Sequence, residues 1–192
     1  IFAFMALILG LFFSSFLIPR PLSESERNEL GLVLFDSPRP LYDFEMQDQN
    51  GEPVNLESLK GSWNLLFFAF TSCPDICPTT LSLLSKAYSE LEMPVRIIMV
   101  TVDPDRDSFE ILKNYLGSFN KDFIGYRGEF DETVKLSQQL NVAFGKIPGS
   151  QPGTYTMDHN ASLALVDSGG NYVGFIKSPQ SSSNIQTILN SF

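Results

Sequence analysis

Cys73-Pro74-Asp75-Ile76-Cys77-Pro78 contains both cysteines of the chain. The run Leu65-Leu66-Phe67-Phe68-Ala69-Phe70-Thr71 leads into it, and a helical pattern from Thr79 to Leu91 leads out. A near-continuous apolar run of this length reads as a strand buried on both faces. A buried strand that delivers two thiols to the start of a helix belongs to α/β sheets, which carry their chemistry at the carboxyl ends of the strands. A thiol is a nucleophile or metal ligand as its thiolate, and a helix N-terminus favours negative charge through free N–H groups and its dipole. Pro78 suits the first helical position, where its missing N–H costs nothing. That places Cys77 near the N-cap and Cys73 in the loop above it.

Two cysteines are too few for a disulfide framework. A pair four positions apart is instead a local device: a redox pair, a metal clamp or a short closed loop. The flanking prolines and Asp75 argue for a loop rather than two inert core thiols.

Working outward, strands and helices alternate. Strand patterns cover 42–46, 52–55, 95–102 and 123–127, with one helical turn at 56–60 and helices at 108–119 and 130–140. Residues 142–157, rich in Gly and Pro, read as irregular. A hairpin follows, with strands 161–166 and 172–177 around Asp167-Ser168-Gly169-Gly170-Asn171, and a helix over 184–192 closes the chain. This order predicts an α/β sheet with helices on both faces and a mixed edge.

His159 is the only histidine. Tyr155-Thr156-Met157-Asp158-His159-Asn160 leads directly into strand 161–166. If that strand runs antiparallel to 65–71, its start lies where 65–71 ends, and His159 stands beside the cysteines. Asp158 either orients the ring or caps a turn. Two thiolates and an imidazole form a soft three-ligand set that suits Cu(I) and also accommodates Zn(II) with one open position. With no further Cys or His, an all-Cys/His four-ligand zinc site is excluded, and so is an iron–sulfur cluster.

Asp103-Pro104-Asp105-Arg106-Asp107 starts like a calcium loop, but Ser108 and Asn114 stand where such a loop needs Gly and Glu. It reads as a loop ending in an N-cap at Asp107 or Ser108, or as an acidic rim of the same sheet edge. Asn160-Ala161-Ser162 is formally a glycosylation sequon, of the kind that arises by chance.

Residues 1–18, IFAFMALILGLFFSSFLI, carry no charge. As a helix they span roughly 27 Å, against a hydrocarbon core of about 30 Å. The run is too long for a signal peptide and lacks its cleavage pattern, so it reads as a membrane anchor. Starting at Ile1 without a methionine, the sequence reads as a piece of a longer chain. Residues 19–40, with four prolines and a polar SESERNE patch, read as a juxtamembrane spacer with a short helix at 23–35, and 41–192 as the domain. Thirteen basic against 22 acidic side chains give a formal charge of −9. Nucleic-acid binding, which rests on neutralising phosphates, is therefore not expected.

Thr71–Thr80 (TSCPDICPTT), Val102–Asp107 (VDPDRD) and Met157–Ser162 (MDHNAS), behind an N-terminal apolar span, together resemble the SCO/SenC family. The resemblance covers 41–192 and shows no departure at the two cysteines or the histidine. It implies a thioredoxin-like mixed sheet flanked by helices, and copper, Cu(I) with Cu(II) as a second state, bound by Cys73, Cys77 and His159. It implies a copper chaperone that assists assembly of the CuA centre of cytochrome c oxidase. The partners would be the oxidase's copper-bearing subunit and an upstream copper donor. The location implied is the bacterial inner membrane, single-pass, with the domain facing the periplasm, or the mitochondrial inner membrane facing the intermembrane space.

An enzyme is the alternative: a thiol–disulfide oxidoreductase in which Cys73 and Cys77 form the redox-active pair and reduce cysteines of the oxidase subunit or another partner. Thioredoxin-type reductases use CxxC, whereas three residues separate these cysteines and a histidine stands where that fold usually has a cis-proline. Both features favour metal. A peroxidase of the same fold would need P-x-x-x-T-x-x-C, but Thr71 is two residues before Cys73 and Phe67 occupies the proline position.

Overall fold

The computed structural model describes residues 20–192; the apolar stretch 1–18 lies outside the described residues. Among the described residues no helix is long and apolar enough to cross a membrane.

The helix predicted from the pattern after the cysteines is α2 (Ile76–Tyr88), and the apolar run before them is β4 (Trp63–Ala69). Asn64 through Phe70 are all buried, as a run without polar alternation requires. β4 pairs antiparallel with β9 (Leu163–Val166) and parallel with β5 (Val95–Thr101), and β5 pairs parallel with β6 (Ile124–Arg127). β10 (Asn171–Ile176) returns beside β9, and the short β2 (Met46–Asp48) and β3 (Pro53–Val54) complete the far edge. With the N-terminal β1 (Leu32–Pro40), they make one eight-stranded mixed sheet, ordered β1-β10-β9-β4-β5-β6-β2-β3. Helices α3 (Phe109–Gly117), α4 (Phe130–Gln139) and α5 (Ser182–Leu189) contribute Leu112, Leu116, Leu136, Ile185, Ile188 and Leu189 to the core.

Three expectations give way. Residues 42–45 form no strand, and β2 starts only at Met46. Residues 19–40 are more than a spacer. Ser23 and Glu26 form a capping box that starts α1 (Glu24–Leu30), Gly31 ends it in the left-handed conformation, and the chain continues into β1. β1 pairs antiparallel with β10, buries Leu32, and stacks Phe35 edge-on against Tyr172, 4.8 Å between ring centroids. The prolines that read as linker chemistry are tolerated because an edge strand needs hydrogen bonds on one side only.

Residues 142–157 are not irregular throughout. β7 (Phe144–Pro148) and β8 (Tyr155–His159) form a separate two-stranded antiparallel sheet, with Phe144 opposite His159. Of the Gly and Pro residues that mask the pattern, Gly145 and Pro148 lie in β7 itself, and Gly149, Pro152 and Gly153 lie in the turn, where Gly153 takes a positive φ.

Candidate metal centre

α2 starts one turn earlier than its apolar pattern. Asp75 stands at the N-cap without a side-chain cap bond, so Cys77 is the second helical residue and Pro78 the third, not the first. Pro78 still falls among the four positions whose N–H has no helical partner. The backbone N–H of Cys77, one of those orphans, donates to Cys73 Sγ at 3.4 Å. The loop thiol thus caps the helix that carries the other thiol, which ties the two sulfurs to one another.

The loop between β4 and α2 is anchored by Asp107, whose side chain is buried. Its carboxylate accepts from the Thr71 N–H at 3.1 Å, from Thr71 Oγ1 at 2.6 Å and from Thr101 Oγ1 at 2.5 Å. Asp103 is buried as well, ion-paired with Arg106, and only Asp105 of the three carboxylates is exposed. Of the two readings of this segment, the acidic rim gives way, since most of its charge turns inward, and the capping loop holds, with Ser108 as the N-cap of α3. Asp107 supports the site as the anchor of the cysteine loop, a role neither reading of the segment contains. The signal available was a run of acidic residues directly after a buried strand.

β9 does run antiparallel to β4, with Leu66 opposite Ala164, so the chain entering β9 passes the end of β4. His159 arrives there with Nε2 at 3.3 Å from Cys77 Sγ. Its Nδ1 pairs with the Asn160 carbonyl at 3.2 Å. A carbonyl only accepts, so Nδ1 carries the proton and Nε2 faces the sulfur with its lone pair. That is the tautomer a metal ligand needs. The ring is held by the Asn160 carbonyl and by an edge-on contact with Phe70, 6.0 Å between centroids; Asp158, for which orienting the ring is one of two readings, is exposed.

The ligand atoms of Cys73, Cys77 and His159 all lie within 4.8 Å of one another, a group that could hold a metal ion. Both cysteines are free thiols; Cys77 is fully buried and Cys73 half-buried. Burial pushes the Cys77 thiol far above its ordinary range, and its contact with Cys73 adds to this. Burial also pulls the His159 imidazole below its usual value, which keeps it neutral at pH 7. A buried, protonated Cys77 is a poor nucleophile, yet a cation brought between these three groups would supply the charge that its thiolate lacks. Two soft sulfurs with an imidazole suit Cu(I) by softness and number.

The SCO1/SenC family profile matches residues 37–192. The chain belongs to the SCO1/SenC family. Family relatives include a SCO2-like protein of Rickettsia felis, 36% identical over 135 residues, which covers 68% of this chain and 66% of that protein's length. ScoI of Bradyrhizobium japonicum, solved with copper bound, superposes with a TM-score of 0.70 at 35% identity over 78% of this chain and 97% of that one. BsSco, described as a member of the Sco family of cytochrome c oxidase assembly proteins with a disulfide switch, superposes with a TM-score of 0.64 at 25% identity over 82% and 96%. These neighbours bear out the thioredoxin-like mixed α/β fold expected of a SCO/SenC member.

Proposed function

We propose that this protein is a membrane-anchored copper chaperone that assists assembly of the CuA centre of cytochrome c oxidase. The observation that carries the reading is the convergence of Cys73, Cys77 and His159 within 4.8 Å around a sealed Cys77. Copper is the cargo. The three side chains hold it as Cu(I), and as Cu(II) in a second state. Cys77 and the neutral His159 Nε2 present lone pairs from the protein side, while half-buried Cys73 faces the open side. Ligands of an acceptor approach there and replace Cys73 first, so the ion passes by exchange without being released to water. Oxidation of Cys73 and Cys77 to a disulfide removes two of the three ligands and blocks loading. The ScoI structure solved with copper and the oxidase-assembly description of BsSco support this reading.

An upstream copper donor loads the site, and the oxidase's copper-bearing subunit receives the ion. Residues 1–18 anchor the chain in the bacterial inner membrane with the domain facing the periplasm; the same topology in a mitochondrial inner membrane faces the intermembrane space.

A second reading is favoured by the asymmetry of the two thiols. Cys73 is half-buried and its sulfur accepts the Cys77 N–H, whereas Cys77 is sealed. In a thiol–disulfide reductase, the Cys73 thiolate attacks a partner disulfide and releases one partner thiol. Cys77, losing its proton, then displaces the second, leaving a Cys73–Cys77 disulfide and a reduced partner.

Titration of the reduced protein with Cu(I) against a competing chelator separates the two. One tight equivalent, lost on oxidation, is the expected result. Binding no tighter than micromolar would sink the chaperone and leave the reductase.

A further inference from the structure

β8 carries His159, but β8 and its partner β7 are not part of the main sheet. Their attachment to the domain is therefore what sets the position of the imidazole. Side chains alternate along a strand, so Tyr155, Met157 and His159 share one face of β8. That face is turned inward: Met157 is buried and Tyr155 and His159 are half-buried, while Thr156 and Asp158 between them are exposed.

At the end of β8 remote from the sulfurs, Tyr155 meets the loop that follows β5. Its hydroxyl donates to Asp103 Oδ1 at 2.8 Å, and the Asp103 side chain is wholly buried. Arg106 pairs with the other Asp103 oxygen, donates to the Tyr155 carbonyl at 3.2 Å, and lays its guanidinium 4.1 Å from the Tyr155 ring centroid. From the same loop Asp105 accepts from Lys146 Nζ of β7 at 2.8 Å. Arg106 also sits 5.9 Å from the centroid of Phe70, the ring that contacts His159 edge-on. The buried carboxylate has its two oxygens taken up by an arginine from its own loop and a phenol from the hairpin. Such an arrangement fixes direction as well as distance, because an unpaired buried carboxylate is costly.

We propose that Asp103, Arg106 and Tyr155 form a clasp that holds the β7–β8 hairpin against the domain and thereby positions His159 for the metal ion. The clasp touches no ligand atom; it acts along β8, with three residues between Tyr155 and His159. Rigid elements with locked second contacts hold ligands within a few tenths of an ångström. The inference rests on His159 being a ligand.

The test compares the wild type, Tyr155→Phe, His159→Ala and the double variant by Cu(I) titration against a competing chelator, with hydrogen exchange on each metal-free, reduced protein. Tyr155→Phe removes one oxygen and keeps the ring. It is expected to weaken Cu(I) binding about tenfold, the worth of one hydrogen bond to a charged group, and to speed exchange of the β8 amides by a similar factor. In the His159→Ala background it is expected to change affinity no further. Unchanged affinity and exchange in Tyr155→Phe would overturn the clasp, as would an equal affinity loss in both backgrounds. If His159→Ala alone binds as the wild type does, the three-ligand reading falls, and with it any role of the clasp in positioning a ligand. Arg106→Lys, which keeps the charge and loses the fork, provides a second variant expected to follow the same pattern.

Discussion

Cys77 Sγ lies 3.3 Å from Nε2 of His159, a residue 82 positions further along the chain. One partner is a sealed thiol in the first turn of a helix, and the other is a neutral imidazole at the end of a hairpin strand. The antiparallel pairing of β9 with β4 brings them together.

Replacing His159 with Ala should weaken Cu(I) binding by more than about 100-fold, beyond the loss expected for a residue that only supports a ligand. Reduction of a model disulfide by Cys73 and Cys77 should be retained within a few-fold. Chelator competition and a thiol-exchange assay on the same preparation check both. Equal losses in the two assays would show that the histidine shapes the whole loop rather than ligating.

The reduced, metal-free protein should lose stability at alkaline pH. The Cys77 thiol is raised in the folded state by burial, from an ordinary value of 9.0. Above that value the unfolded chain releases a proton that the folded chain keeps, so stability is complete below pH 9.0 and falls as pH rises. Urea unfolding at pH 7 and pH 10 should show a drop that is smaller in Cys77→Ala.

Asp107→Asn should destabilise the fold by about 2–3 kcal/mol, since hydrogen bonds to a charged acceptor are at stake and the amide nitrogen would face a donor. The lost contact holds Thr71 at the entrance to the cysteine loop. Copper affinity should therefore fall alongside stability, measured by denaturant unfolding and chelator competition on the same variant. Thr101→Val removes a buried hydroxyl that donates to Asp107 and accepts from the Asp103 N–H, and should cost about 2 kcal/mol with a parallel fall in affinity.

Gly174→Ala tests whether β1 belongs to the domain. A Cβ at Gly174 would sit 2.1 Å from the Val33 carbonyl oxygen, a backbone atom that moves only if β1 moves. The expected cost is about 2–3 kcal/mol, with little change in copper affinity because β1 is the outer strand and β4 lies three places inward. A variant as stable as the wild type in thermal unfolding would return residues 32–40 to the role of a spacer.

The local pattern alone determined the central strand, the helix after the cysteines, the following βα alternation and the closing hairpin. Each carries its own periodicity or turn chemistry: an unbroken apolar run for β4, Asp167-Ser168-Gly169-Gly170-Asn171 between β9 and β10. It also determined which residue types could form a soft metal set, because the chain offers only two thiols and one imidazole. The tertiary structure decided the rest. Prolines in β1, whose partner β10 is remote, and glycines in and around the local β7–β8 hairpin hide these strands, since an edge strand or a short hairpin owes its form to its neighbour more than to its own pattern. Burial, which no local window reports, decided that the Cys77 thiol is raised above its ordinary range. It also turned Asp103 and Asp107 inward to hold the loop and the hairpin. The difference is physical: periodicity is written along the chain, whereas desolvation and the meeting of Cys77 with His159 depend on distances that exist only once the sheet has formed.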